Sequence, residues 1–190
     1  MYFPIKQLAS DVAAILGESL ASDCPPEETH FPFIEERVRL MSPLILEELL
    51  MQAEVEELCE VKSLNVSVTV DSLGMVTIVL PDDFLRLVSV KMSDWKRQVC
   101  HITPSDSEHY LWQTSRWEGI RGSPERPLAL LGRNLSGERC MRLFSSGQDA
   151  SLDHLLYIAR PKLYPSDLLE VPDNFYNILV CRVAEAIKKL

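Results

Sequence analysis

The sequence predicts an α+β fold: a small antiparallel β-sheet or sandwich packed with N-terminal helices and one C-terminal helix. Three observations predict it. Apolar residues recur at helical spacing through the first 58 residues, and at Val61 the period changes to two. Helical spacing returns only at Asp173–Lys189. Helices first, strands next and one helix last is the order of an α+β chain rather than of alternating βα units.

The elements follow in order. Ile5–Leu20 reads as a first helix, with Ile5, Leu8, Ala9, Val12, Ile15, Leu16 and Leu20 near 3.6 spacing and Pro4 at its entrance. Ser22–His30 contains Pro25-Pro26 and reads as a loop. Phe33–Leu58 carries a long helical pattern interrupted by Pro43. The expectation is a break near Ser42, with Pro43 in the first turn of the next helix and Glu47 and Glu48 near its positive end.

From Val61, the residues Leu64, Val66, Val68 and Val70 alternate with polar ones, as in a half-exposed strand. Asp71–Gly74 is a turn, and Met75–Leu80 completes a hairpin. Pro81-Asp82-Asp83 turns again into a strand over Phe84–Met92, and Trp95–Ile102 is a candidate fourth strand beyond the Ser93-Asp94 corner. Residues 103–127 form a long excursion, with a short helix through Trp112 opened by a Ser105–Glu108 capping box. Leu128–Leu131, Cys140–Phe144 and Leu152–Ala159 are further strands, and Pro161–Glu170 connects to the closing helix. In that helix Phe175, Ile178, Leu179, Val183, Ala186 and Ile187 are expected to face inward. The chain is read as a single domain of 190 residues: an acidic helical part (1–60), an antiparallel β part (61–170) and the closing helix (171–190).

Charge is unevenly distributed. The net charge is -9, yet residues 1–60 hold 13 acidic side chains against three basic ones, a net of -10, while the rest is nearly balanced. An acidic block repels phosphate, and no long basic stripe offsets it, so tight non-specific DNA or RNA binding is not expected. No apolar run reaches the ~20 residues of a bilayer span, so no membrane association is expected. The first 20 residues lack the pattern of a signal peptide. Five widely spaced cysteines suit reduced thiols in a cytoplasm.

No catalytic constellation, cofactor fingerprint or metal motif is visible, and the chain is read as a non-enzyme. Cys100 and His101 are adjacent, but in a strand their side chains would point to opposite faces. Cys24 and His30 lack the further ligands a zinc site needs. Asp82 and Asp83 are explained by a turn. What does concentrate is aromatic and guanidinium character around the excursion: Trp95, Arg97, Tyr110, Trp112, Arg116, Trp117 and Arg121. These residue types are enriched at interface hot spots, which makes the group a candidate protein interface.

The stretch Leu80-Pro81-Asp82-Asp83-Phe84 leads into LRLVSV and then Trp95-Lys96-Arg97. The later strands close on YIARP, and Val171-Pro172-Asp173 leads into the last helix. This succession resembles phage head–tail connector proteins of the adaptor or tail-tubular kind, which include ring proteins encoded by phages and prophages of gut bacteria. Leu80, Pro81, Asp83, Phe84, Leu87, Val90, Trp95, Tyr157, Pro161, Val171 and Pro172 carry the likeness, within an order of elements spanning most of residues 34–190. The resemblance implies a homo-oligomeric ring joining portal to tail, assembled in the cytoplasm and carried into the virion, through which DNA passes. A lumen that lets DNA slide is favoured by negative charge, and Glu47, Glu48, Glu54, Glu56 and Glu57 are the candidate lining. The alternatives are a non-viral cytoplasmic interaction module of the same fold class, or a small Cys-dependent enzyme.

Overall fold

The computed structural model describes residues 1–17, 31–58, 61–104, 106–113, 115, 117 and 123–189. The fold is α+β, and the described residues form four α-helices and three small antiparallel sheets. Two compact units make it up: Met1–Glu60 with Arg160–Leu190, and Val61–Ala159.

The first unit contains β1 (Tyr2–Pro4), α1 (Ile5–Leu16), α2 (Phe31–Gln52), β8 (Leu168–Glu170) and α4 (Tyr176–Lys188), and its three helices pack on one another. On α1, Ile5, Leu8, Ala9, Val12 and Ala13 are buried, a stripe at i, i+3, i+4, i+7 and i+8. Gly17 ends that helix in the left-handed conformation, φ 76°. The expected continuation to Leu20, and the Ser22–His30 loop, lie outside the described residues.

Helix α2 does not break at Ser42; it runs through Pro43. Ile34, Val38, Ser42, Leu46 and Leu50 are all buried, so the core-facing line stays in phase on both sides of the proline. Each of the four apolar side chains contributes about 1.5–3 kcal/mol by burial. An interior proline costs about 3 kcal/mol through one lost backbone hydrogen bond and a ring clash. The sum of burial wins. Ser42, fully buried, donates its hydroxyl to the Val38 carbonyl one turn back. As a consequence Glu47 and Glu48 sit about one turn from the C-terminal end of α2, far from its N-terminus.

The three-residue pairing in this unit carries no periodic signature. β1 pairs antiparallel with β8, Tyr2 opposite Glu170 and Pro4 opposite Leu168, inside what the sequence presents as a connector. Asp167 makes this possible with a left-handed backbone, φ 56°. Its carbonyl accepts the Ile5 N–H at 2.9 Å, and its carboxylate takes Arg39 at 2.7 Å. On α4 the buried residues are Leu179, Val180, Val183 and Ala184. Ile178, expected inward, is 46% exposed, because it falls on the side of the helix opposite the centre of that group.

The second unit is built of β2 (Lys62–Ser63), β3 (Met75–Val79), β4 (Phe84–Met92), α3 (Glu108–Gln113), β5 (Leu128–Arg133), β6 (Arg139–Phe144) and β7 (Leu152–Ala159). One sheet has the order β2-β7-β4 and the other β3-β6-β5. Their apolar faces share one core, including Val76, Ile78, Phe84, Val90, Met141, Leu143, Leu155 and Tyr157. β4 occupies the span expected of it, but its alternation is broken. Register shifts against β7 after Phe84, Leu87 and Lys91 let the neighbours Phe84-Leu85 and Ser89-Val90 both be buried.

Two expected strands are absent from the ladders. Of the Val61–Val70 segment only Lys62–Ser63 pairs as a strand, and Val70 makes a single bridge to Val76. Leu64, Val68 and Val70 still lean on the core, so the apolar period is real while the backbone lacks a paired neighbour along its length. Trp95–Ile102 likewise reduces to one bridge, Val99 to Val90. The Asp71–Gly74 turn forms as expected: the Asp71 carboxylate accepts the N–H groups of Leu73 and Met75 at 2.8 Å. Gly74 has φ 75°, and a Cβ there would stand 3.0 Å from the Ser146 carbonyl oxygen.

The Pro81–Asp83 turn is closed by the Phe84 N–H on the Pro81 carbonyl at 3.0 Å. Asp83 then reaches across its own sheet to β7 and β2. It accepts the Tyr157 hydroxyl at 3.1 Å and the Lys62 ammonium at 2.9 Å, with its side chain only 13% exposed. Burial, followed by the Asp83 charge, pushes the Tyr157 hydroxyl above its ordinary range. Burial and a hydrogen bond to Asp11 do the same for Tyr176 in the first unit.

Two expected outcomes follow from this geometry. Pro43→Ala restores an N–H to the Arg39 carbonyl and should raise stability by about 1–3 kcal/mol, read as a higher urea midpoint at unchanged slope. A tyrosine pKa raised by folding contributes stability that is complete below the unfolded value of about 10 and is lost as pH rises through the folded value. Urea unfolding between about pH 9 and pH 12 should therefore show stability falling, and Tyr157→Phe should flatten that fall.

Candidate interaction surfaces

The aromatic group expected at the excursion divides between core and surface. Trp95 is 3% exposed and belongs to the core of the β unit, where its indole N–H donates to the Ser145 carbonyl at 2.9 Å. The polar corner before it is tied down as well. Ser93 Oγ accepts the Ser151 N–H at 3.0 Å, and Asp94 accepts the Gly147 N–H at 2.8 Å. Trp95 is thus a structural anchor and offers no surface to a partner.

α3 is a single short helix whose inner side is fixed by two contacts. Tyr110 meets Phe144 edge-on, ring centroids 6.2 Å apart. Gln113, 5% exposed, donates to the Arg126 carbonyl and accepts the Ser145 hydroxyl at 3.1 Å. Ser107 Oγ accepts the Tyr110 N–H at 3.3 Å, and the expected Ser105–Glu108 capping box falls on Ser105, which lies outside the described residues. With Tyr110 and Gln113 holding the helix, Leu111 (61%) and Trp112 (45%) are exposed, and Trp117 beyond the helix is 76% exposed. Arg97 is exposed, while Arg116 and Arg121 lie outside the described residues. Of the seven expected interface residues, Trp112, Trp117 and Arg97 are exposed, and Tyr110 positions the segment that carries Trp112.

The acidic candidates do not share one helix face. α2 ends at Gln52, and Glu54, Glu56 and Glu57 occupy a 3₁₀ turn at Val55–Glu57. Glu54 and Glu57 cap that turn reciprocally, a local role that accounts for both. Glu47 pairs with Arg160 at 3.6 Å. Glu48 and Glu56 are exposed.

A surface that the sequence reading did not single out lies on α2. Leu40 and Leu44, part of the long helical pattern of Phe33–Leu58, are 60% and 65% exposed, and Phe33 and Met51 are 50% and 48% exposed. The signal was present: apolar residues on α2 fall on two lines about half a turn apart, and only one line can face the core.

Cys100 and His101 are both exposed, in a stretch outside any strand. Among the described residues no group of His, Cys, Asp and Glu side chains is arranged to hold a metal ion, and Cys24 and His30 fall outside them. No described helix is long and apolar enough to cross a membrane. Neither the models of known protein families nor the curated proteins contain a match to this chain.

The division of the aromatic group is directly testable. Trp95→Ala removes a buried indole and should cost about 3–5 kcal/mol in stability, whereas Trp117→Ala should leave the urea midpoint within about 0.5 kcal/mol of the parent.

Proposed function

We propose that the chain is a structural subunit of a homo-oligomeric ring joining a phage or prophage portal to its tail. The observation that carries this reading is the aromatic surface of the β unit. α3 is anchored by Tyr110 and Gln113, and its anchoring turns Leu111 and Trp112 outward, with Trp117 following, all heavily exposed. Large aromatic side chains held outward on a fixed element suit a protein partner that covers them. The likeness to connector proteins in Leu80–Trp95, YIARP and Val171-Pro172-Asp173 supplies the kind of assembly. Subunits of a closed ring meet head to tail, so each needs surface for a neighbour as well as for portal and tail.

In this reading the net -10 of residues 1–60 serves the lumen. Exposed carboxylates such as Glu48 and Glu56 repel DNA phosphates and keep passage free of tight contacts, an effect that weakens as salt rises. Glu47, neutralised in part by Arg160, contributes less.

The test is co-expression with the neighbouring portal and tail proteins, followed by mass measurement and imaging of the assembly. The expected result is a multi-copy ring on the portal with Glu48 and Glu56 towards the channel, and weaker association for Trp112→Ala/Trp117→Ala at unchanged fold. A folded chain that associates with neither protein at any concentration would remove the connector reading. A ring with those carboxylates turned away from the channel would remove the lining.

A further inference from the structure

The exposed line on α2 has a geometry of its own. At 3.6 residues per turn, Phe33, Leu40, Leu44 and Met51 fall within about 20° of one line running ~27 Å along the helix. The buried line of Ile34, Val38, Ser42 and Leu46 lies on the opposite side. The four exposed residues are also symmetric about position 42: Phe33 and Met51 stand equally far from it, and so do Leu40 and Leu44. Turning the helix end over end therefore lays the line upon itself.

We propose that this outer face of α2 docks a second copy of the chain, the two α2 helices meeting antiparallel about a two-fold axis. Phe33 then faces Met51 of the second copy, and Leu40 faces its Leu44. An isologous contact of this kind requires one self-complementary patch, and the symmetry about position 42 provides it.

The flanking charges agree with this occupant. Arg37, held with its guanidinium 4.9 Å from the centroid of the Phe33 ring, lies on the same flank as Glu48. In the antiparallel pair each Arg37 comes opposite Glu48 of the other copy, giving two attractive pairs. On the other flank Glu36 approaches Glu47 of the second copy, and the Arg160 side chain 3.6 Å from Glu47 offsets that repulsion. A parallel pairing would instead set Phe33 on Phe33 and Arg37 on Arg37. One helix face is smaller than the ~800 Å² per partner of a standard interface, so the pair is expected to be reversible, with a dissociation constant in about the micromolar range.

This contact stops at two copies and engages Glu48, which the ring reading turns to the channel, so the two-fold pair is a state of the chain outside the ring and either idea can fail alone. Sedimentation equilibrium of the full chain should show mass rising from one copy to two with concentration. Leu40→Glu/Leu44→Glu should remain a single copy, at least tenfold weaker in association, with an unchanged far-UV circular dichroism spectrum. In a background with Cys24, Cys59, Cys100 and Cys181 replaced by serine, Leu40→Cys/Leu44→Cys should oxidise to a covalent dimer and no further. A single copy at all concentrations, as when another part of the chain covers the line, would overturn the proposal. So would a dimer indifferent to Leu40→Glu/Leu44→Glu, or a covalent ladder beyond two copies, which would assign the line to a head-to-tail contact.

Discussion

The antiparallel pairing of β4 with β7 is the constraint on which the β unit rests. Phe84 stands opposite Ala159 and Met92 opposite Leu152, so two stretches far apart in sequence must find each other before the β2-β7-β4 sheet can form. β4 supplies the buried Phe84, Leu87, Val90 and Met92 to the common core, and β7 supplies Leu155 and Tyr157. The Pro81–Asp83 turn fixes where this pairing starts, because Asp83 holds the Tyr157 hydroxyl from across the ladder. Trp95 fixes the other end through the Ser145 carbonyl. The outward segments, α3 included, hang from that frame.

The sequence disclosed most where a residue's own chemistry decided the local structure. The strand Phe84–Met92, the Asp71–Gly74 turn and the order of helices and strands were all legible, because alternation, a carboxylate beside two backbone N–H groups, and a glycine at positive φ act over a few residues. Legibility failed where tertiary burial outweighed a local rule. Pro43 signals a break, yet the in-phase burial of Ile34, Val38, Leu46 and Leu50 carries α2 through it. It failed again where the pattern was right and the pairing absent: Leu64 to Val70 alternate, but their backbone has only one bridge. β1 and β8 were invisible because three residues cannot display a period.

The candidate surfaces were legible in composition and not in placement. Trp and Arg abundance pointed to the excursion, where Trp112 and Trp117 are exposed, but the same residue types serve cores, and Trp95 with its buried indole hydrogen bond is the example. Leu40 and Leu44 show the converse, since helical spacing alone does not say which of two apolar lines turns inward. The acidic residues were similarly overgrouped. Glu54 and Glu57 have a turn that they cap to account for them, although both stay exposed.

The first unit is assembled from two separate stretches, Met1–Glu60 and Arg160–Leu190, with the β unit inserted between them. That arrangement sets an order on the ribosome, where the chain emerges from its N-terminus. α1 and α2 are made before the β unit but cannot complete their core until Leu179, Val180, Val183 and Ala184 of α4 follow it. The whole β unit is synthesised meanwhile. During that interval the inner faces of α1 and α2 lack their third helix, which makes nascent α1 and α2 the segment where a chaperone has most to shield.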